Sequence, residues 1–342
     1  MVERGVANAF CTAQNAQVIG SLALGRTASA TGGWQPAPDP PPARVSSAAS
    51  SSALERCSRY RCQVHGRQLE IAISDSGGTG PAWLLLPALS TISSRHEWDP
   101  FCRASHQRGA DPASQPRLIR IDWPGFGESD RLPLAYSADL LARVLTEVRR
   151  DVCPGDCGLI AAGHAAGIAL LAAERHGLAA REWVLVAPTW RGPFPTMAGR
   201  QSRAFRLLRG LVEAPLVGPL LYRLNTSKGV LGWMSRRHVD VAGPGLTPAG
   251  LARRQRLARQ RGARFASAAF VTGGLDPYRE PEGWLRSARQ LQAPLTVVLA
   301  DQAPPKSLAQ MQALAAAADR VEHLAGRLGA HEECGAQLAN QL

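Results

Sequence analysis

Five short apolar runs, 83–86, 118–121, 158–162, 183–187 and 294–300, recur along the chain, and helical patterning fills much of the sequence between them. Such runs are too short for buried helices. They also lack the apolar–polar alternation of a strand with one wet face, so they mark strands buried on both sides. Strands buried twice need helices on both faces, and the spacing therefore predicts an α/β fold with a mainly parallel sheet flanked by helices. The clearest helical pattern covers 138–148, with Ser137 placed as its N-cap. Others are expected at 168–175 and 307–317, with a short strand at 321–324 and a helix at the end. Upstream, 61–65 and 68–74 are β-rich and meet near Gly66, the signature of a hairpin.

Two regions break this rhythm. Residues 1–56 hold Pro36, Pro38, Pro40, Pro41 and Pro42 and a Ser/Ala run at 46–53, and they bury too little apolar surface to fold. This segment reads as a disordered or targeting tail. Its acids are only Glu3, Asp39 and Glu55, a composition that suits an organelle transit peptide. A plastid or other organelle is then the expected location, and the cytoplasm otherwise. Seven cysteines without an even framework fit a reducing compartment. Cys153 and Cys157 lack the spacing of zinc or redox pairs, so no metal and no cofactor is expected.

The second region, 189–286, is helical in pattern and separates two strand runs. Its position suggests a cap over the C-terminal ends of the strands, where ligands bind in open α/β sheets. The expected division is a tail at 1–56, a first core part at 57–190, a basic helical cap at 191–288 and a last core part at 289–342. Net charge supports the division. The chain carries +12, and 191–265 holds 14 arginines and Lys228 against Glu213 and Asp240 alone.

Three motifs follow in order: Leu84-Leu85-Leu86-Pro87-Ala88, then Asp122-x-x-Gly125-x-Gly127-x-Ser129, then Gly163-His164-Ala165-Ala166-Gly167. In this order, after a buried run and before a helix, they resemble the α/β-hydrolase superfamily. The resemblance runs from about Tyr60 to the C-terminus. It implies an α/β-hydrolase fold with a helical cap insertion, a nucleophile elbow centred on Ala165, and oxyanion donors at Leu89 and Ala166.

The departures from the pattern carry the functional reading. Ala165 stands where the resemblance expects a serine, and a methyl group cannot attack a carbonyl. Ser90, Ser93 and Ser129 lie off the elbow and suit loop and turn hydrogen bonding. For the acid, Asp301 follows the run 294–300, while a reading anchored on Pro304 puts Ala303 at that place. Asp276 is a second candidate, or else a helix N-cap. For the base, one register gives His331 and another, anchored on Glu332 and Glu333, gives Leu328. His164 flanks the elbow in a packing role.

The resemblance therefore implies a hydrolase-fold protein without serine-nucleophile activity that binds a hydrophobic or acidic small molecule or a partner. The alternative is an active hydrolase of an ester or related bond, with an Asp301–His331 pair activating water. Arg200, Arg203, Arg206 and Arg209 at three-residue spacing, with Phe205, Leu208 and Val212 at three- and four-residue spacing, suggest a basic amphipathic helix. Arg253, Arg254, Arg256, Arg259, Arg261 and Arg264 form a second cluster. These suit a solvated face, an acidic ligand or an anionic membrane surface. No nucleic-acid partner is expected, since no recognition motif accompanies the charge.

Overall fold

Leu84, Leu85, Leu159, Ile160, Val184, Leu185, Val297 and Val298 are almost wholly buried, and they form the middle of one sheet. The computed structural model describes residues 55–108 and 115–342. The expected tail, but for its last two residues, lies outside the described residues. The strands are β1 (Arg56–Val64), β2 (Arg67–Asp75), β3 (Ala82–Leu86), β4 (Arg117–Ile121), β5 (Cys157–Ala162), β6 (Trp183–Val186), β7 (Leu295–Ala300) and β8 (Arg320–Leu324). They lie in the order β1-β2-β4-β3-β5-β6-β7-β8. The hairpin β1–β2 and the β2–β4 pair are antiparallel, and every other pair is parallel. Register is fixed by the apolar runs: Leu84 pairs with Ile119 on one side and Leu159 on the other. A slip of one residue would turn these side chains to the opposite face.

The helices are α1 (Asp99–Arg108), α2 (Ala138–Val152), α3 (Ala165–His176), α4 (Pro193–Ala198), α5 (Arg203–Glu213), α6 (Val217–Asn225), α7 (Lys228–Met234), α8 (Pro248–Ala258), α9 (Ala263–Val271), α10 (Pro281–Arg289), α11 (Pro305–Ala315), α12 (Ala330–Glu333) and α13 (Gly335–Gln341). Ser137 caps α2 as its sequence predicts, accepting the Leu140 N–H at 3.2 Å. α3 begins at Ala165, three residues earlier than the pattern 168–175 suggests, and ends on the left-handed Gly177. α1 was not legible, because its run Asp99–Arg108 buries only Phe101 and Cys102. No helix among the described residues is long and apolar enough to cross a membrane.

Helices α4 to α10 lie between β6 and β7 and lean on the loops that leave the C-terminal ends of the strands. A Cβ at Gly125, after β4, would meet Ala266 of α9. His164, after β5, bonds to the Leu275 carbonyl, and the Leu328 and Gly329 amides, after β8, bond to His238 and Val239. A buried ionic joint adds to this seam. The Arg254 guanidinium reaches both carboxylate oxygens of Asp240 and, at 2.9 Å, Glu332. Arg253 reaches Glu332 at 2.7 Å. The second arginine cluster is thus not simply a solvated face: Arg254 sits inside the protein because two buried acids surround it.

Candidate functional site

The strand–helix corner after β5 is the natural place for chemistry, since the loops after β3 and β6 meet there. Its geometry differs from the expected one. Gly163 holds the left-handed backbone, with φ of 53°, and Ala165 does not. β5 stops at Ala162, glycine makes the reversal at no Cβ cost, and Ala165 is already the first residue of α3. The two-glycine spacing that points to Ala165 as the centre thus includes the corner residue itself. A Cβ added at Gly163 would lie 3.2 Å from the Ala88 Cβ, facing the loop after β3. Gly167 serves packing instead, since a Cβ there would come within 2.9 Å of Pro277.

Ala165 and Ala166 are fully buried, and so is Leu89 in the loop after β3. The Ala166 N–H donates to the Gly163 carbonyl at 3.2 Å, closing the first turn of α3. That bond occupies the donor expected to face an oxyanion. The Gly163 N–H and carbonyl tie the corner to β6, through Val186 at 2.9 Å and Thr189 at 3.0 Å.

The structure does not bring Asp301 and His331 together. Asp301 Oδ1 accepts from His323 Nδ1 at 2.7 Å, on an exposed edge beside β8. His331 is buried and donates from Nε2 to Glu97 Oε2 at 3.0 Å. The same Glu97 oxygen accepts the Ala88 N–H at 3.1 Å, and the Trp98 ring stacks at a tilt 5.2 Å from the imidazole. The alternative places are apolar: Ala303 is buried and Leu328 packs against the core. The Glu97 partnership had no signal in the sequence, because its residues are 234 positions apart.

The serines are engaged. Ser90 and Ser93 hydroxyls lie 2.9 Å apart in their loop. Ser129 Oγ donates to the Asp122 carbonyl and accepts the Ala72 N–H. The Asp122 motif is a clamp on the end of β4. Its carboxylate takes the Arg95 guanidinium at 2.6 Å and the Glu128 N–H at 2.7 Å, and Arg95 also bonds Ser74 and Glu128.

One titratable pair adjoins the corner. His164 is wholly buried, donates from Nε2 to the Leu275 carbonyl at 2.8 Å, and its Nδ1 lacks a partner among the described residues. Burial pushes it down to about 4. Asp276 lies 4.0 Å away and accepts the Gly192 N–H at 2.7 Å. It caps no helix of its own, since α10 begins after Glu280. Burial pushes its carboxyl up to about 7. Between about 4 and about 7 both groups are therefore held neutral, and over that range the contact is not an ion pair. Asp276 also borders a cavity of ≈ 500 Å³ whose lining mixes Arg175, Arg279 and Arg286 with Glu174, Glu280 and Glu282. Among the described residues no cluster suits a metal ion.

Comparison with known proteins agrees with this architecture. The model of the alpha/beta hydrolase family matches residues 64–339. The chain belongs to that family. No curated protein matches the chain. It is similar in fold to a thermophilic esterase from Thermogutta terrifontis, with TM-score 0.58 and 15% identity over 84% of this chain and 96% of that one. A putative epoxide hydrolase from Pseudomonas aeruginosa gives TM-score 0.60 and 17% identity over 85% and 96%. The haloalkane dehalogenase DatA from Agrobacterium tumefaciens gives 0.59 and 18% over 83% and 94%.

Proposed function

We propose that this chain is a family member whose fold serves binding and not serine-nucleophile hydrolysis. The carrying observation is the corner after β5. Its left-handed residue, Gly163, has no side chain, and Ala165 offers only a buried methyl group. Neither can form an acyl intermediate. The separation of Asp301 from His331 supports the same reading, because the acid–base pair that the resemblance implies then does not serve the corner. The ligand class is a small molecule or a partner, since the cavity beside Asp276 sets Arg175, Arg279 and Arg286 against Glu174, Glu280 and Glu282 and its charge alone selects no anion.

The test uses short p-nitrophenyl esters and a fluorophosphonate probe. Wild type is expected to show no turnover above buffer and no labelling. Gly163→Ser directs a hydroxyl toward the loop after β3, whereas Ala165→Ser places one inside α3. Labelling of the wild type, or wild-type turnover lost in His331→Ala, would overturn the reading.

A second reading, hydrolysis without a covalent intermediate, draws on Asp276. A carboxyl group pushed up to about 7 beside a cavity suits general acid–base work near neutrality. It requires wild-type ester turnover that titrates near that pH and disappears in Asp276→Asn.

A further inference from the structure

The insertion presents a surface that the corner and its cavity do not use. α5 has no buried residue. Together, α5, α6 and the residues joining them leave Leu207, Leu211, Leu216, Val217, Leu220 and Leu224 in solvent. Leu207 is 77% exposed, Leu216 88% and Leu220 62%. The spacing is regular. Arg203, Leu207 and Leu211 recur every fourth residue in α5, and Val217, Leu220 and Leu224 recur at three and four in α6. Each helix thus has an outer apolar stripe in addition to the half-buried side that carries Phe205, Leu208 and Val212, or Leu221 and Tyr222. Single exposed leucines are ordinary, but six aliphatic residues on one pair of consecutive helices are not. Arg203, Arg206, Arg223 and Lys228 are exposed in the same segment. Among the described residues none of the four has a carboxylate within 4.0 Å, whereas the inward-turned Arg209 is held by Glu213.

We propose that the α5–α6 hairpin docks on an anionic lipid bilayer, its leucines entering the acyl boundary and its free cations meeting headgroup phosphates. Apolar residues flanked by unpaired arginines are what such an interface selects. A second copy of the chain on this face would set arginines against arginines, so charge disfavours self-association. The inference is independent of any chemistry at the corner.

Flotation of the full chain with vesicles tests it. With equimolar phosphatidylcholine and phosphatidylglycerol the protein is expected to float, less so as salt rises, and with phosphatidylcholine alone it is expected to stay behind. Leu216→Asp combined with Leu220→Asp should abolish flotation. Arg203→Gln and Arg206→Gln should each lower the partition coefficient about fivefold, the factor for about 1 kcal/mol per basic side chain. All four positions are exposed, so circular dichroism and melting should be unchanged. Absent flotation at low salt, equal flotation on neutral vesicles, or flotation indifferent to these variants would overturn the proposal. So would a dimer in sedimentation equilibrium that the double leucine variant dissolves.

Discussion

His331 Nε2 donates to Glu97 Oε2 across 3.0 Å, and that one oxygen also accepts the Ala88 N–H. The bond joins α12 to the loop after β3 through the core, next to Trp98. A histidine whose place in the chain nominates it as a base is thereby committed to holding two segments together.

Glu97→Ala should therefore act on stability. It strands the Ala88 amide and the His331 ring in a buried setting, where an unsatisfied polar group costs about 1–3 kcal/mol. Urea denaturation should show a loss of about 2–4 kcal/mol. Glu97→Gln, which keeps an acceptor, should lose less than half as much. Equal losses for both would mean that the bond contributes nothing beyond packing.

Much of the fold was legible because it is written in continuous apolar runs. Every strand expected from 83–86 to 321–324 is present, and Ser137 caps α2 where its spacing places it. Such signals are local. The corner was legible only in outline: two glycines four apart announce a tight strand–helix turn, but which residue goes left-handed depends on where β5 stops pairing with β6. The partners of His331 and Arg254 were not legible at all. Glu97, Asp240 and Glu332 are ordinary acids in sequence, and only the closing of the sheet and the insertion brings them beside their cations. The arginine spacing does not say which cations turn inward, and the fold buries Arg254 while it leaves Arg203 exposed.

Arg254 offers a direct check on that distinction. Asp240 and Glu332 are buried around it, so Arg254→Met leaves two carboxylates without their shared cation. Breaking a buried pair from one side costs about 3–5 kcal/mol. The exposed Arg206→Met should change the urea midpoint by no more than about 0.5 kcal/mol equivalent. Similar small effects in both variants would contradict the buried joint.

Gly127 tests the Asp122 clamp. Its φ is 55°, and an added Cβ would overlap the Asp122 carboxyl group, which is held by Arg95 and the Glu128 N–H. Gly127→Ala should lose at least about 3 kcal/mol or fail to accumulate as soluble protein. Gly155 separates sterics from backbone strain: its φ is 80°, with nothing within 4 Å of an added Cβ. Gly155→Ala should lose only about 1–2 kcal/mol. If the two variants melt together, the overlap with Asp122 is not the cause.

The His164–Asp276 pair predicts opposing pH dependences that single substitutions expose. Asp276 moves from an ordinary 3.8 to about 7 on folding. The folded state binds its proton more tightly, so this stability is complete below pH ~4 and is lost as pH rises through ~7. His164 moves from 6.5 to about 4. Its neutral form is favoured in the folded state, so its contribution is complete above pH ~6.5 and is lost as pH falls through ~4. Between those limits the two slopes oppose each other, each spanning on the order of 3 kcal/mol. Asp276→Asn keeps an acceptor for the Gly192 N–H and removes the first slope. Relative to wild type, its stability should rise steadily from pH 4 to 7. His164→Gln removes the second slope, and relative to wild type its stability should fall over pH 4 to 6.5. Urea midpoints measured at half-unit intervals read both differences. Curves that stay parallel to wild type would show that neither group changes its proton affinity on folding, and with that the acid–base reading of Asp276 would fail too.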